Sequence, residues 1–151
     1  MVRFRIIRIR MNKPETLRIV PVLERATHAV ALWLERAFPN PRLTQAEAHV
    51  LAHLADHASS SINDLHHRFG HKRSTLTSVL DRLESRGWIR RMAHPTSRRL
   101  IQVDLTEAGR PIAEEVSAAV RSLEERLLAC VGQQGAATFL QVIHVLEEEL
   151  Q

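Results

Sequence analysis

The stretch SINDLHHRFGHKRSTLTSVLDRLESRGWIRRMAHPTSRRLIQVDLTEAG, Ser61 to Gly109, decides how this chain folds. Ser61 is placed to N-cap a helix whose apolar positions are Ile62, Leu65 and Phe69, and Gly70 supplies its stop. The polar turn His71-Lys72-Arg73 leads to Ser74, which reads as the N-cap of the next helix. There Leu76, Val79, Leu80 and Leu83 fall on one stripe, and Gly87 ends the run. Trp88 to Ala93 alternates as a strand does, His94-Pro95-Thr96-Ser97 turns, and Arg98-Arg99 opens a return strand ending at Leu105. Helix, tight turn, helix and basic hairpin, in that order, spell a winged helix-turn-helix, an arrangement suited to reading duplex DNA.

Composition narrows the alternatives. A chain of 151 residues is one domain, or a small domain with an oligomerisation element, and its 44% hydrophobic content is enough for a packed core. With two Trp, four Phe and no Tyr, aliphatic helix packing must dominate. The single cysteine, Cys130, excludes an internal disulfide and a Cys-x-x-Cys zinc site, and reads as a small apolar residue near a helix end. No apolar run reaches the length of a membrane span, and the opening Arg3-Phe4-Arg5-Ile6-Ile7-Arg8-Ile9-Arg10 lacks the apolar block of a signal peptide. The expectation is a cytoplasmic protein. Net charge is +4 over residues 1–61, +5 over 62–110 and −5 over 111–151. A basic middle implies a surface for phosphates, and an acidic C-terminal segment implies a different task.

The same reading divides the chain into a basic N-terminal extension over residues 1–13, an N-terminal dimerisation region over 14–43, the winged unit over 44–110 and C-terminal dimerisation helices over 111–151. The extension is either an arm that touches DNA or an upstream addition to a chain starting at Met11. A first helix is expected from about Pro14 to Ala37, kinked or split at Pro21, with Leu17, Val20, Leu23, Thr27, Val30 and Leu34 on one face. Phe38-Pro39-Asn40-Pro41 stops it; Thr44 caps the next helix, with Glu47 at the capping-box position, as far as about His57. Thr106 is expected to cap a long helix to about Val131 carrying Ile112, Val116, Val120, Leu123 and Leu127. Gly132 to Gly135 then breaks the chain before a last helix. A winged unit needs few helices for its own core. The surplus apolar faces of both arms are therefore expected to meet those of a second copy in a twofold dimer.

These residues resemble the MarR family of bacterial transcription regulators over roughly residues 14–150. The resemblance rests on Leu43-Thr44-Gln45, on Leu76-Thr77 with Leu80-Asp81-Arg82-Leu83-Glu84, on Gly87-Trp88-Ile89 with Arg91, and on Leu105-Thr106-Glu107-Ala108-Gly109. It implies a mainly α fold with a small β-wing, a homodimer held by the terminal helices, and a repressor that binds a pseudo-palindromic operator and responds to a ligand. One departure stands out. The family's wing tip usually carries Asp-x-Arg, and here it is Ser97-Arg98-Arg99. The arginine is kept as Arg99 without its carboxylate, and Asp81 is the residue expected to orient a wing arginine in its place.

The residues expected to bind DNA are Lys72, Arg73, Ser74, Thr75, Thr77, Ser78 and Arg82 on and before the second motif helix, with Arg98 and Arg99 in a minor groove. Arg90 and Arg91 are expected to reach phosphates or pair with acids at the base of the hairpin. By position, His28, Trp33, Phe38 and Arg42 are the wall residues expected for a small aromatic or phenolic effector; ordinary core packing is their competing role. His49, His53 and His57 recur at helical spacing, and His49 with His53 could serve a metal-responsive regulator, but no histidine on the long helix completes a set. No cofactor or metal is expected. No nucleophile with a base, glycine-rich phosphate loop or paired carboxylates is legible, so an enzyme is not expected. The remaining alternative is a winged-helix module for protein interaction, which the basic middle disfavours.

Overall fold

In a computed structural model of the chain, residues 19–39, 42–57, 59–70, 72–94 and 97–150 are described, without the side chains of residues 94 and 97–99. The elements run α1 (Ile19–Ala37), α2 (Gln45–Asp56), β1 (Ser60–Ser61), α3 (Ile62–Phe69), α4 (Arg73–Ser85), β2 (Ile89–His94), β3 (Ser97–Leu105) and α5 (Gly109–Glu149). This is the expected fold, mainly α with a three-stranded antiparallel sheet in the order β1-β3-β2. Residues 1–18, and with them the basic extension and the start of the first helix, lie outside the described residues.

The stripe of α4 forms the centre of the core: Leu76, Val79, Leu80 and Leu83 are all buried. They pack with Leu34 of α1, Val50, Leu51 and Leu54 of α2, Leu65 of α3, Ile89, Val103 and Leu105 of the sheet, and Ala113 and Val116 of α5. Truncating any one of these buried leucines to alanine costs roughly 2–5 kcal/mol in comparable cores. In the sheet, Ile89 faces Leu105 and Arg91 faces Val103. Strand alternation thus buries Ile89, Val103 and Leu105 and turns Met92 to the other face, while Ile101 shares the face of Val103 but lies farther out along the hairpin and is exposed.

Helix ends follow local chemistry. Thr44 and Ser61 each close a reciprocal capping box, with Glu47 and Asp64 respectively. α4 ends in a Schellman arrangement: Gly87, at φ 71°, donates to Glu84 O, and Trp88 N donates to Leu83 O. Four expectations need correcting. Lys72, not Ser74, is the N-cap of α4, without a side-chain cap bond, and Ser74 lies inside the first turn. α1 runs unbroken through Pro21, whose place in the first described turn removes no bond to a described residue. α5 begins at Gly109 and not directly after Thr106, although the Thr106 hydroxyl still accepts the Gly109 N–H at 3.0 Å. Finally, the break is confined to Gly132, at φ 71° and ψ 171°, and Gly135 is already helical again.

Candidate nucleic-acid interface

Lys72 at the N-cap of α4 and Arg73, Ser74, Thr75, Thr77, Ser78 and Arg82 within it are all exposed, as expected for a helix whose opposite stripe is buried. At about 3.6 residues per turn, Ser74, Thr77, Ser78 and Asp81 lie away from that stripe, with Arg73 and Arg82 on its flanks. The hydroxyls are not loose: Thr77 Oγ1 donates to Arg73 O at 2.9 Å, and Ser78 Oγ donates to Ser74 O at 3.1 Å.

The wing is fixed to this helix by charge. Arg91 on β2 places Nη1 2.7 Å from Asp81 Oδ1 and 3.1 Å from Glu84 Oε2, and its Nη2 donates to Thr77 O at 3.4 Å. Glu84 Oε1 in turn accepts the Arg91 backbone N–H at 3.0 Å. Arg91 thus pairs with acids at the base of the hairpin, one of the two roles expected of it; the Arg99 side chain, which Asp81 was expected to orient, lies outside the described residues. Arg90 pairs with Asp104 at 3.6 Å on the neighbouring strand. Arg98 and Arg99 sit at the start of β3, and their side chains lie outside the described residues.

A second connection was not legible beforehand. Glu47 caps α2, but its side chain is only 1% exposed and also reaches α4. Its Oε1 accepts from Arg82 Nε at 2.8 Å, its Oε2 accepts from Thr44 N and Thr44 Oγ1, and Arg86 Nη1 lies 3.8 Å away. Burial alone would push this carboxyl up. The Thr44 backbone, Arg82 and the Thr44 hydroxyl outweigh burial, helped by Arg86, and hold it below the ordinary carboxylate value. Arg82 is thereby anchored through Nε while its side chain remains 46% exposed. The capping-box spacing identifies Glu47 in sequence, yet nothing in that spacing reports a partner 35 residues away.

The four residues expected to wall an effector crevice differ in burial and partners within the single chain. Phe38 is in the core, Trp33 packs half-buried against it, Arg42 pairs with Glu35 at 2.9 Å, and exposed His28 borders an open depression beside Leu23 and Gln45. A cavity of about 260 Å³ lies elsewhere, between α2, α3 and α5, bordered by His49, His53, His57, Arg68, Ser117 and Arg121. Asp56 also borders it and accepts from both Ser117 Oγ and Arg121 Nη2 at 3.0 Å. His53 bonds Ser60 Oγ through Nε2 and stacks on His57 at 4.2 Å, and His49 stacks on Phe69. Burial, then His57 and Arg68, lower the His53 pKa against the pull of Asp56 and Asp64. Among the described residues, no group of three or more His, Cys, Asp and Glu side chains is arranged to hold a metal ion.

Comparison with known proteins agrees with this geometry. Residues 43–101 match the model of the MarR family. The chain is 32% identical over 103 residues to the HTH-type transcriptional repressor MdtR of Bacillus subtilis, covering 68% of this chain and 64% of the relative. It is also 32% identical over 98 residues to the HTH-type transcriptional regulator PecS of Dickeya dadantii, covering 63% of this chain and 59% of that one. The chain thus spans about three fifths of the length of the curated relatives it matches. In fold it resembles S. aureus MepR in a DNA complex, with TM-score 0.74, 17% identity and 87% and 96% of the two chains covered. It likewise resembles E. coli MarR complexed with operator DNA, with TM-score 0.69, 23% identity and 88% and 96% covered. Motif order, buried stripe, tethered wing and these likenesses lead to one assignment: residues 43–101 are a MarR-family winged unit.

Proposed function

We propose that this protein is a DNA-binding transcriptional regulator of the cytoplasm, acting as a homodimeric repressor on a pseudo-palindromic operator and released by a small effector. The observation that carries the reading is the outward polar face of α4, flanked by Arg73 and Arg82 and locked to the wing through Arg91. Such a helix fits a major groove, with Arg98 and Arg99 of the hairpin reaching an adjacent minor groove. Relatives of the family have been solved on DNA, MepR and MarR among them, which supports the same use here.

Dimerisation is supported by apolar side chains that the single chain leaves in water: Val20 and Val22 on α1, and Leu127, Val131, Phe139, Leu140 and Val145 on α5. Two winged units held at fixed spacing match two half-sites about one DNA turn apart. A change in angle between the helical arms and the winged units would misplace both copies of α4 at once, which lowers affinity without unfolding either. The α2–α3–α5 cavity joins an arm helix to the winged unit, so a small molecule lodged there is well placed to set that angle. It replaces His28, Trp33, Phe38 and Arg42 as the proposed seat.

The test is fluorescence anisotropy with the full chain on random duplex at several salt concentrations. Log affinity should fall linearly with log salt, with a slope reporting several phosphate contacts. Binding that ignores salt, or no binding at low salt, would overturn the assignment and favour a protein-interaction module.

A further inference from the structure

The face of α4 away from the core is sorted by chemistry. Its cations stand at the edges, as Arg73 and Arg82; between them lie Ser74 in the first turn and then Thr77, Ser78 and Asp81. Each hydroxyl has one proton, and Thr77 and Ser78 both donate theirs to a carbonyl one turn back, at 2.9 and 3.1 Å. What they turn outward is lone pairs. Asp81 is a carboxylate and can only accept; Arg91 at 2.7 Å offsets its charge, so it can enter a groove lined by phosphates. Beyond the first turn, the middle of the helix is therefore an acceptor strip between two cationic flanks.

A major groove has the complementary division, with phosphates along both walls and base edges between them. Its base-edge donors are the N4 amino group of cytosine and the N6 amino group of adenine. Guanine N7 and O6, adenine N7 and thymine O4 would meet Thr77 and Ser78 lone pair to lone pair. We propose that Thr77, Ser78 and Asp81 form an acceptor strip that reads the exocyclic amino groups of cytosine and adenine, so that their positions specify the half-site. Arg73 and Arg82 hold the flanking phosphates. Glu47, which anchors Arg82 through Nε at 2.8 Å, keeps one flank in place.

This inference rests on the DNA-binding reading above, and the experiment separates the two. A duplex is selected from a random pool with the full-length protein. Each cytosine of a half-site is then replaced singly by 2-pyrimidinone, which lacks the N4 amino group, and each adenine by purine, which lacks the N6 amino group. Removing the contacted amino group should weaken binding roughly five- to hundredfold, the range of a good base contact. The same replacement outside the half-site should change little. Thr77→Val and Ser78→Ala should lose a similar factor on the parent duplex and nothing further on the matching analogue. Thr77→Ser, which keeps the acceptor, should restore binding.

Affinity within twofold of the parent after every amino group of a half-site has been removed singly overturns the acceptor strip. So does a loss on 7-deazaguanine substitution that persists in Thr77→Val, because it would place a donor in the middle of the groove. A protein that selects no duplex at all overturns the DNA-binding reading itself. Helicity of each variant, measured alongside, separates a lost contact from a lost fold.

Discussion

The guanidinium of Arg91 on β2 lies 2.7 Å from the Asp81 carboxylate on α4, which ties the wing to the helix beside it. Glu84 accepts from the same guanidinium at 3.1 Å. Arg91 is the hub, since its side chain is 23% exposed while those of Asp81 and Glu84 are 56% and 40% exposed. Arg91→Ala leaves two neighbouring carboxylates without their cation and should lower unfolding free energy by about 1–3 kcal/mol. Asp81→Ala keeps the Glu84 arm and, being an exposed pair, should cost less than about 1 kcal/mol. Urea denaturation of both variants checks this, and equal losses would remove Arg91 from its central place.

Glu47 makes stability sensitive to acid. Its folded carboxyl is held below the unfolded value of 4.5, so the folded state binds fewer protons there. The stability it contributes is present above that value and is lost as pH falls through the depressed folded pKa. Glu47→Gln keeps the shape and loses the charge. It should cost roughly 1–3 kcal/mol at neutral pH through its bonds to Arg82 and the α2 cap. The gap between the two proteins should close below pH 4.5. A gap that stays constant across the acid range would show that the charge contributes nothing.

His53 works at a milder pH. Burial and the neighbouring His57 and Arg68 keep its folded pKa below 6.5, while Asp56 and Asp64 oppose them only in part. Its contribution is full above the unfolded value and disappears as pH falls through 6.5 towards the lower folded value. Wild-type stability should therefore decline on mild acidification, and His53→Gln should decline less steeply. Parallel melting curves for the two proteins would argue that the ring is equally easy to protonate in both states.

Gly109 answers a close approach and not a turn. A Cβ there would run into the backbone carbonyl of Trp88, which already accepts from Thr106 N at 2.9 Å. Thr106 Oγ1 also donates to Gly87 O at 2.6 Å, so the end of α4, the start of β2 and the start of α5 meet at one point. Gly109→Ala should destabilise by at least about 1–3 kcal/mol, as overpacking does. An unchanged melting temperature would mean that α5 can shift without consequence.

The local features of this fold were legible because they are written within a few residues of one another. Ser61 with Asp64, Thr44 with Glu47, the stripe on α4 and the positive φ of Gly70 and Gly87 all follow from spacing alone. The exposed polar face of α4 followed as the complement of its buried stripe. What failed was long in range. Arg82 reads as an outward basic residue in sequence, and its Nε is held by a carboxylate from a different helix. Phe38 and Trp33 stand near His28 and Arg42 in sequence, but packing sends the aromatic pair to the core and Arg42 out to Glu35. The cavity between α2, α3 and α5 draws on helices whose adjacency only the tertiary fold sets.

The arms should govern binding as strongly as the winged unit does. Phe139 and Leu140 are 57% and 65% exposed on the last turns of α5, beside Leu127 and Val131 across the break at Gly132. Apolar side chains of that size gain roughly 1.5–3 kcal/mol each when fully buried, so a second copy seated on them has ample driving force. Phe139→Glu combined with Leu140→Glu puts two charges into that contact while touching none of the core residues around α4. Sedimentation should show a monomer whose helicity is nearly unchanged. Because the second half-site then loses its tethered partner, affinity for a palindromic duplex should fall by about a hundredfold or more, while affinity for a single half-site stays constant. If the double variant still sediments as a dimer, α5 is not the seam, and the exposed face of α1 at Val20 and Val22 must supply it.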